Sequence, residues 1–429
     1  MLRAQLIFIL LSGLSPGTNT AHAQVSTLTI DECYAWARAN YPLVKRLNLI
    51  DKSSGYSMEN ASKLYLPQFT VTGQATYQSQ TINFSEALGG TTLPGGLTLP
   101  NISKDQYRIQ AELNQMLYDG GNVRNQKDQI AATRGLQQQN VEVELYALND
   151  RVNQIYFVVL LMEQQLKQNE IRKTDLLGTL SKMEAALKFG TAYRSTLDEL
   201  KAELVNVDMA AIELRSNRSA YLAMLGTLIG REISDNVTLL QPNVLGAVAE
   251  INRPELRSFD YRGRLLDVDE KKIKTDYMPK LGAFVQGAYG RPTLNMVSNE
   301  FGPWYYLGAR LNWNLASLYT LNNTRATLDI NRQNLDVEKE TFLLNTRIAL
   351  QQQAHEIQKY RLLIMQDEKA IALRAEVKRA AQAQVENGVI TSHDYIAHLN
   401  AENQARQLLI LHQVQLLQAQ YKHKFINGN

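Results

Sequence analysis

The run VEVELYALNDRVNQIYFVVLLMEQQLKQNEIRKTDLLGTLSKMEAAL, residues 141–187, decides the fold. Its apolar residues fall at Val141, Leu145, Leu148, Val152, Ile155, Val159, Met162 and Leu166, a 4-3 spacing that sets them on one stripe of a helix. Polar breaks at Asn169 and Lys173 interrupt the stripe before Leu176, Leu180, Met183 and Leu187 resume it. From Gly120-Gly121 to Phe189 there is no proline, and beyond that opening pair only Gly135 and Gly178, so one helix is expected over 120–189. At about 1.5 Å per residue such a helix is on the order of 100 Å long, more than a single globule can use. Gly190 supplies a left-handed stop. Ser195 or Thr196, with Asp198 and Glu199, then starts a return helix over 195–228, closed by Gly230. The element is one arm of a very long hairpin.

Residues 1–23 have the pattern of a secretory signal: Arg3, the apolar run Leu6 to Leu14, and Ala21-His22-Ala23 before Gln24. Removing Arg3 leaves 44 Lys+Arg against 42 Asp+Glu, a balance that creates no field for nucleic acid. Cys33 is the only cysteine, so no internal disulfide framework exists, and it is expected as a small residue on an amphipathic helix. No stretch approaches the roughly 20 apolar residues of a transmembrane helix. Any contact with a membrane must therefore be made by strands. No catalytic, cofactor or metal site is expected. His355, His393, His398, His412 and His423 lack glutamate or cysteine partners at metal-binding spacing, and neither a P-loop nor a dinucleotide glycine signature occurs.

Strand periodicity occurs four times. Phe69, Val71, Gly73, Ala75 and Tyr77 alternate with polar residues over 68–78, and Tyr107, Ile109, Ala111 and Leu113 do so over 106–118. Leu281, Ala283, Val285, Gly287 and Tyr289 mark a third strand over 280–290. Tyr305, Leu307, Ala309, Leu311, Trp313 and Leu315 mark a fourth over 304–315. Loops rich in glycine and proline, 79–105 and 290–304, join each pair. The order is duplicated: Asn40-Tyr41-Pro42 matches Asn252-Arg253-Pro254 and Tyr65-Leu66-Pro67 matches Tyr277-Met278-Pro279, both at an offset of 212. A second long helix is expected over 317–387, with Leu343, Leu350, Ile357, Ile364 and Ile371 seven apart. It stops at Asn387-Gly388, 198 residues after Phe189-Gly190, and a last helix follows over 392–425. The first repeat then covers 24–230, a linker 231–250 and the second repeat 251–429.

The expected fold is mainly α with a small β part: long antiparallel coiled-coil hairpins plus four strands, internally duplicated. Four strands with one apolar face have no compact body to cover them, and lipid is the other apolar partner open to an exported chain. A spanning sheet must close, because open edges leave backbone groups unsatisfied at several kcal/mol each in hydrocarbon. Outer-membrane barrels begin at about eight strands, so copies of the chain must share one barrel. Phe69, Tyr77, Tyr107, Tyr118, Trp304, Tyr305 and Trp313 are expected to form interfacial girdles. The competing architecture is an exported coiled-coil tether or scaffold whose strands form a small cap.

With these motifs in hand, the chain resembles the TolC-like outer-membrane efflux protein family. The resemblance covers essentially the whole mature chain and is carried by the N-x-P segments at Pro42 and Pro254, the strand starts at Pro67 and Pro279, and the helix–Gly–helix tips at Gly190 and Gly388. It implies a homotrimer in the outer membrane of a Gram-negative cell, with a twelve-stranded barrel continued by a helical barrel across the periplasm. The partners it implies are a periplasmic adaptor (membrane fusion) protein and an inner-membrane pump of RND or ABC type, serving drug or metal efflux or type I protein secretion. Adaptor docking then falls on the tips: Phe189, Gly190, Thr191, Ala192 and Tyr193, with Asn387, Gly388, Val389 and Ile390. Asp394 stands where TolC-like proteins place the first of two aspartates ringing the periplasmic aperture. The second position here is Ala397, and the first repeat offers Thr196 and Asp198. Asp394 is equally a first-turn carboxylate favoured by the helix dipole.

Overall fold

The computed structural model describes residues 27–82, 102–243, 250–295 and 298–429. The signal expected at 1–23, most of the 79–105 loop and part of the linker lie outside these residues. In chain order the elements are β1 (Thr27–Leu28), α1 (Ile30–Asn40), α2 (Val44–Lys63), β2 (Gln68–Tyr77), β3 (Asp105–Tyr118), α3 (Asn122–Tyr146), α4 (Leu148–Lys188) and α5 (Arg194–Ile229). They continue with β4 (Thr238–Leu239), α6 (Pro254–Asp276), β5 (Lys280–Arg291), β6 (Gly302–Asn312), a 3-10 turn (Leu315–Leu318), α7 (Leu321–Glu386) and α8 (Ser392–Asn427). Contacts divide the described residues into two compact units that do not follow the repeats, since each draws on both.

One unit draws on Ala37–Asn153, Val244–Gln366 and Gln415–Asn429, and contains the sheet. Its strands are antiparallel in the order β2-β3-β5-β6, two from each repeat. The register puts Phe69, Leu113, Val285 and Leu307 in one row, Val71, Ala111, Gly287 and Tyr305 in the next, then Gly73, Ile109, Tyr289 and Pro303. Because side chains alternate along a strand, all of these share one face. The opposite face carries Thr70, Glu112, Gln286 and Tyr306, then Thr72, Gln110, Ala288 and Trp304. Trp304 is thus no member of an apolar-face girdle: it lies one residue out of phase with Tyr305, and its ring stacks on Tyr306 at 5.7 Å.

Helices brace the sheet's ends in a way that preserves the duplication. Gln115 at the end of β3 donates through Nε2 to the carbonyl of Tyr65 (2.9 Å), and Trp313 after β6 donates through Nε1 to the carbonyl of Tyr277 (3.0 Å). Asp119 starts α3. Its carboxylate accepts from the backbone of Val123 (2.6 Å) and Gly121 (2.9 Å) and from the Tyr65 hydroxyl (2.7 Å). The helix α3 packs between α2 and α6, and at Gly135 a Cβ would come within 2.6 Å of the Tyr261 ring, so only glycine permits that approach.

Three sequence expectations change here. The single helix over 120–189 is interrupted at Ala147, whose backbone stays right-handed (φ −61, ψ −19). The break coincides with Tyr146, whose ring stacks on Phe425 at 5.0 Å while its hydroxyl donates to the Phe425 carbonyl. The fourth strand ends at Asn312 rather than 315, because the Asn314 side chain accepts the Ala316 N–H (3.2 Å) and opens the 3-10 turn. In consequence the second long helix starts at Leu321, not 317.

The other unit draws on Met1–Trp36, Gln154–Asn243 and Asp367–Val414. Leu176, Met183, Leu197, Leu200 and Val207 from the first repeat close one cluster with Ala381, Val385, Tyr395 and Leu399 from the second. The polar break Asn169 is buried and donates to the Val207 carbonyl (2.8 Å), joining α4 to α5. A two-residue parallel pair, β1 with β4, was too short to show in the periodicity. The Tyr156 hydroxyl secures it, 2.8 Å from the Leu28 carbonyl and 2.6 Å from that of Leu240. Cys33 is fully buried on α1, and burial, aided by the neighbouring Glu32 charge, pushes its thiol up to about 12.

Burial works against the Asp119 charge, but the hydrogen bonds from Val123, Tyr65 and Gly121 outweigh it and hold the carboxyl below its ordinary range. Its stabilisation is therefore full above the unfolded carboxyl range and is lost as pH falls through the depressed native value. Asp119→Ala is expected to destabilise the protein by about 1–2 kcal/mol at neutral pH. Thermal denaturation in detergent checks this, and the difference from wild type should shrink on acidification.

Candidate functional site

Two features have no partner among the described residues: the sheet with its edges, and the ends of the helical hairpins. On the sheet's apolar face, Phe69, Val71, Ile109, Tyr305, Leu307 and Leu311 are all exposed. From Leu281 to Arg291 the face rises about 33 Å along the strand at ~3.3 Å per residue, or roughly 25 Å across a bilayer after a tilt of about 40°. One end finishes in an aromatic and charged rim. Phe301 stacks on Tyr107 and on Tyr289 (6.2 and 6.1 Å), and Arg291 lies over Phe301 (5.1 Å) while pairing with Asp105.

The polar face is organised around Glu112. Asn114 Nδ2 donates to it (2.9 Å), Gln110 Nε2 lies at 3.4 Å and Arg310 Nη2 at 3.9 Å. Arg310 also lies over the Phe284 ring (4.9 Å). The outer strands β2 and β6 each pair on one side only, and they run in opposite directions. A β6 can therefore meet the β2 of another copy without breaking the antiparallel alternation.

In the same unit α7 exposes Ile330, Val337, Leu344 and Ile348, an apolar stripe at 7-7-4 spacing; in the other, α5 exposes Val205, Met209 and Ile212. Leu343 and Leu350 of the expected α7 seam are only half-buried.

At the hairpin ends, both stops have the same geometry. Gly190 (φ 73) donates to Leu187 O and Thr191 N to Ala186 O (2.9 Å); Gly388 (φ 69) donates to Val385 O and Val389 N to Gln384 O (2.8 Å). This paired bonding is the Schellman helix stop, which needs a left-handed residue. Of the tip residues, Phe189 (85 % exposed), Tyr193 (80 %) and Val389 (69 %) stand in solvent, with Gly190, Thr191, Asn387 and Gly388 also exposed. Ala192 and Ile390 are instead drawn back against the bundle core. A cavity of about 550 Å³ lies between the two stops, lined by Ala192, Tyr193, Thr196, Glu199, Ile390 and Asp394 among others. Ser392 Oγ donates to Glu199 across it.

Asp394 starts α8 as a capping residue. Its Oδ2 accepts from Thr391 Oγ1 (2.7 Å) and Thr391 N (3.2 Å), and its own N–H donates to Thr391 Oγ1 (3.2 Å). Those bonds, the side-chain one foremost, hold its carboxyl below the ordinary range while it remains exposed. Asp198 is exposed and Thr196 half-buried, four and two residues into α5 from its start. The polar contacts linking the hairpins had no local sequence signal. Lys378 bridges Asp175 (3.0 Å) and Glu402 (2.8 Å), and Arg172 bridges Glu203 and Asn400. Among the described residues, no group of His, Cys, Asp and Glu is arranged to hold a metal, and no helix is long and apolar enough to cross a membrane.

Comparison with known proteins bears on this architecture. Residues 35–231 match the family described as outer membrane efflux protein. No curated protein sequence matches the chain. Among solved structures, CusC, described in terms of conformational changes accompanying folding and transmembrane channel formation, superposes with a TM-score of 0.66 at 12 % identity, covering 93 % of this chain and 92 % of CusC. The outer membrane protein VceC from the bacterial pathogen Vibrio cholerae gives 0.63 at 11 % identity, with 93 % and 96 % covered. The open-state MtrE outer membrane channel of Neisseria gonorrhoeae gives 0.62 at 13 % identity, with 93 % and 89 % covered. At these identities the likeness is one of fold. The resemblance to TolC-like outer-membrane efflux proteins is carried by sequence over the first repeat and by fold along nearly the whole chain.

Proposed function

We propose that this chain, a TolC-like outer-membrane efflux protein by that sequence match and that fold, is the exit duct of a tripartite efflux or type I secretion system. The observation that carries the reading is the sheet: four strands in one register, apolar on one face and polar on the other, with both edges unpaired. The apolar face meets outer-membrane lipid, the polar face lines a water-filled lumen, and the edges close against other copies. Four strands per copy reach the smallest barrel of about eight at two copies, and the family resemblance favours three. The exposed stripes on α5 and α7 supply the matching helical contacts. A free tether is disfavoured, because it would leave that face and those stripes in water. The 79–105 and 290–304 loops then face the cell exterior.

The same reading assigns the exposed tips to a periplasmic adaptor that links the duct to an inner-membrane RND or ABC pump. Phe189, Tyr193 and Val389 offer apolar contacts beyond the helix stops, which themselves need only the glycines. Asp394 is assigned to the periplasmic aperture, where symmetry copies bring like charges together and favour cations. With Ala397 at the second position and Thr196 in the first repeat, the copies together form a thin ring.

Three outcomes are expected. Purified in mild detergent, the protein should run as a homotrimer and give discrete conductance steps in a planar bilayer; a monodisperse monomer would sink the reading. Phe189→Glu with Val389→Glu should abolish cargo export in cells while leaving the trimer intact, and unimpaired export would remove the tips from the docking surface. Asp394→Asn should weaken cation selectivity severalfold or raise single-channel conductance, whereas an intact trimer with unchanged currents would leave Asp394 as a helix-start residue alone.

A further inference from the structure

The polar face of the sheet holds a cavity that duct formation does not require. Along it, the row Gln74, Arg108, Gly290, Gly302 neighbours the row Thr72, Gln110, Ala288, Trp304. These rows bring Arg108 and Trp304 to the same end of the face, with the segment from Arg291 to Leu294 beside them. The result is a cavity of about 610 Å³, lined by Gln74, Gln106, Arg108, Pro292, Trp304 and Tyr306 among others. Pockets of roughly 300–1,000 Å³ suit small organic ligands.

Its walls select a chemistry. The Trp304 and Tyr306 rings are nearly parallel, 8° apart at 5.7 Å, an offset stack against which a further ring can pack. The Trp304 Nε1–H is shielded from solvent and meets no acceptor among the described residues. Arg108 Nη2 donates to Gln74 Oε1 (2.8 Å), an uncharged partner, and no described carboxylate pairs with the guanidinium. Glu112, the acidic residue on this face, is already engaged by Asn114 and Arg310. The cavity therefore offers an aromatic stack and a positive charge with no carboxylate partner among the described residues. An aliphatic anion would leave the rings uncovered, an aromatic cation would be repelled by Arg108, and a neutral aromatic would leave that charge unmatched. From β3 to β6 is two strand spacings, about 10 Å at ~4.8 Å each, a gap that a fused two-ring acid spans.

We infer that this cavity binds planar aromatic carboxylates, with the carboxylate on Arg108 and the ring system against Trp304 and Tyr306. As a cargo subsite it rests on the reading of the polar face as the channel wall. The probe is 2-naphthoate, titrated into the detergent-purified full chain by calorimetry and added to the same protein in planar bilayers. Saturable binding is expected, with concentration-dependent current block, and Arg108→Gln and Trp304→Ala should each weaken both at least tenfold. Trp304→Phe, which keeps a smaller ring, should fall between wild type and Trp304→Ala. If Trp304→Ala does not assemble, Arg108→Gln decides. Unchanged affinity in Arg108→Gln, or equal affinity for cyclohexanecarboxylate or 2-naphthylmethylammonium, overturns the site. Conductance without naphthoate binding also sinks the site and leaves the channel standing. Variant-sensitive binding without conductance upholds the site and sinks the channel.

Discussion

Backbone groups on the sheet's two edges govern the rest of this structure. On β2, a strand of 10 residues, about half the residues direct both N–H and C=O away from β3, and β6 repeats the situation on the other side. In hydrocarbon each orphaned group costs several kcal/mol, so the two edges together cost tens. A native domain is stable by only about 5–15 kcal/mol. The apolar face and the open edges therefore cannot both be satisfied in lipid by the described residues of one chain, and in the proposed duct assembly and membrane insertion become parts of folding. In the proposed duct the same logic accounts for how little α7 buries: its apolar stripe would be half of an interface, with a stability set by the concentration of other copies.

Duplication is written into contacts as well as into sequence. The two hairpin stops share both hydrogen bonds of one motif, with Gly190 and Gly388 at φ 73 and 69. The two sheet ends share a donor–carbonyl bond even though the donors differ: Gln115 and Trp313 are 198 residues apart, their acceptors Tyr65 and Tyr277 are 212 apart, and each donor still finds its repeat's acceptor. The backbone position has outlasted the chemistry of the side chain that serves it. Where the repeats diverge, the passage from strand to helix diverges with them. Asp119 caps α3 directly, while Asn314 opens a 3-10 turn that delays α7 to Leu321.

Period and punctuation made most of the fold legible. Four period-2 segments, two glycine-stopped hairpins and the paired prolines point to four strands set on long helices, and the strand faces follow once alternation is assumed. Features of one or two residues were not legible. The β1–β4 pair spans two residues a side, too few for a period to emerge. Ala147 interrupts a helix without any helix breaker, and the Tyr146–Phe425 stack that accompanies it joins residues 279 apart. Trp304 was assigned by residue type instead of by phase, which put it on the wrong face. The cavity beside it brings Arg108 of β3 together with Trp304 of β6, a relation that exists only after the register is known.

Apolar packing makes the bundle beneath the hairpin ends cohere, but it does not fix the register. Leucine and valine rows can slip by a turn and still find apolar partners, because such contacts are non-directional. The polar groups set among them cannot. Asn169 reaches one carbonyl, that of Val207, and a slip would strand a buried amide at a cost of about 1–3 kcal/mol. Lys378 ties α7 to Asp175 on α4 and Glu402 on α8, and Arg172 ties α4 to Glu203 on α5 and Asn400 on α8, so all four helices are cross-referenced. Such partly buried pairs add little net stability once their desolvation is counted. They act instead as directional contacts that penalise displaced packings: the apolar cluster supplies the attraction between the hairpins, and these few polar side chains choose the position in which it is realised.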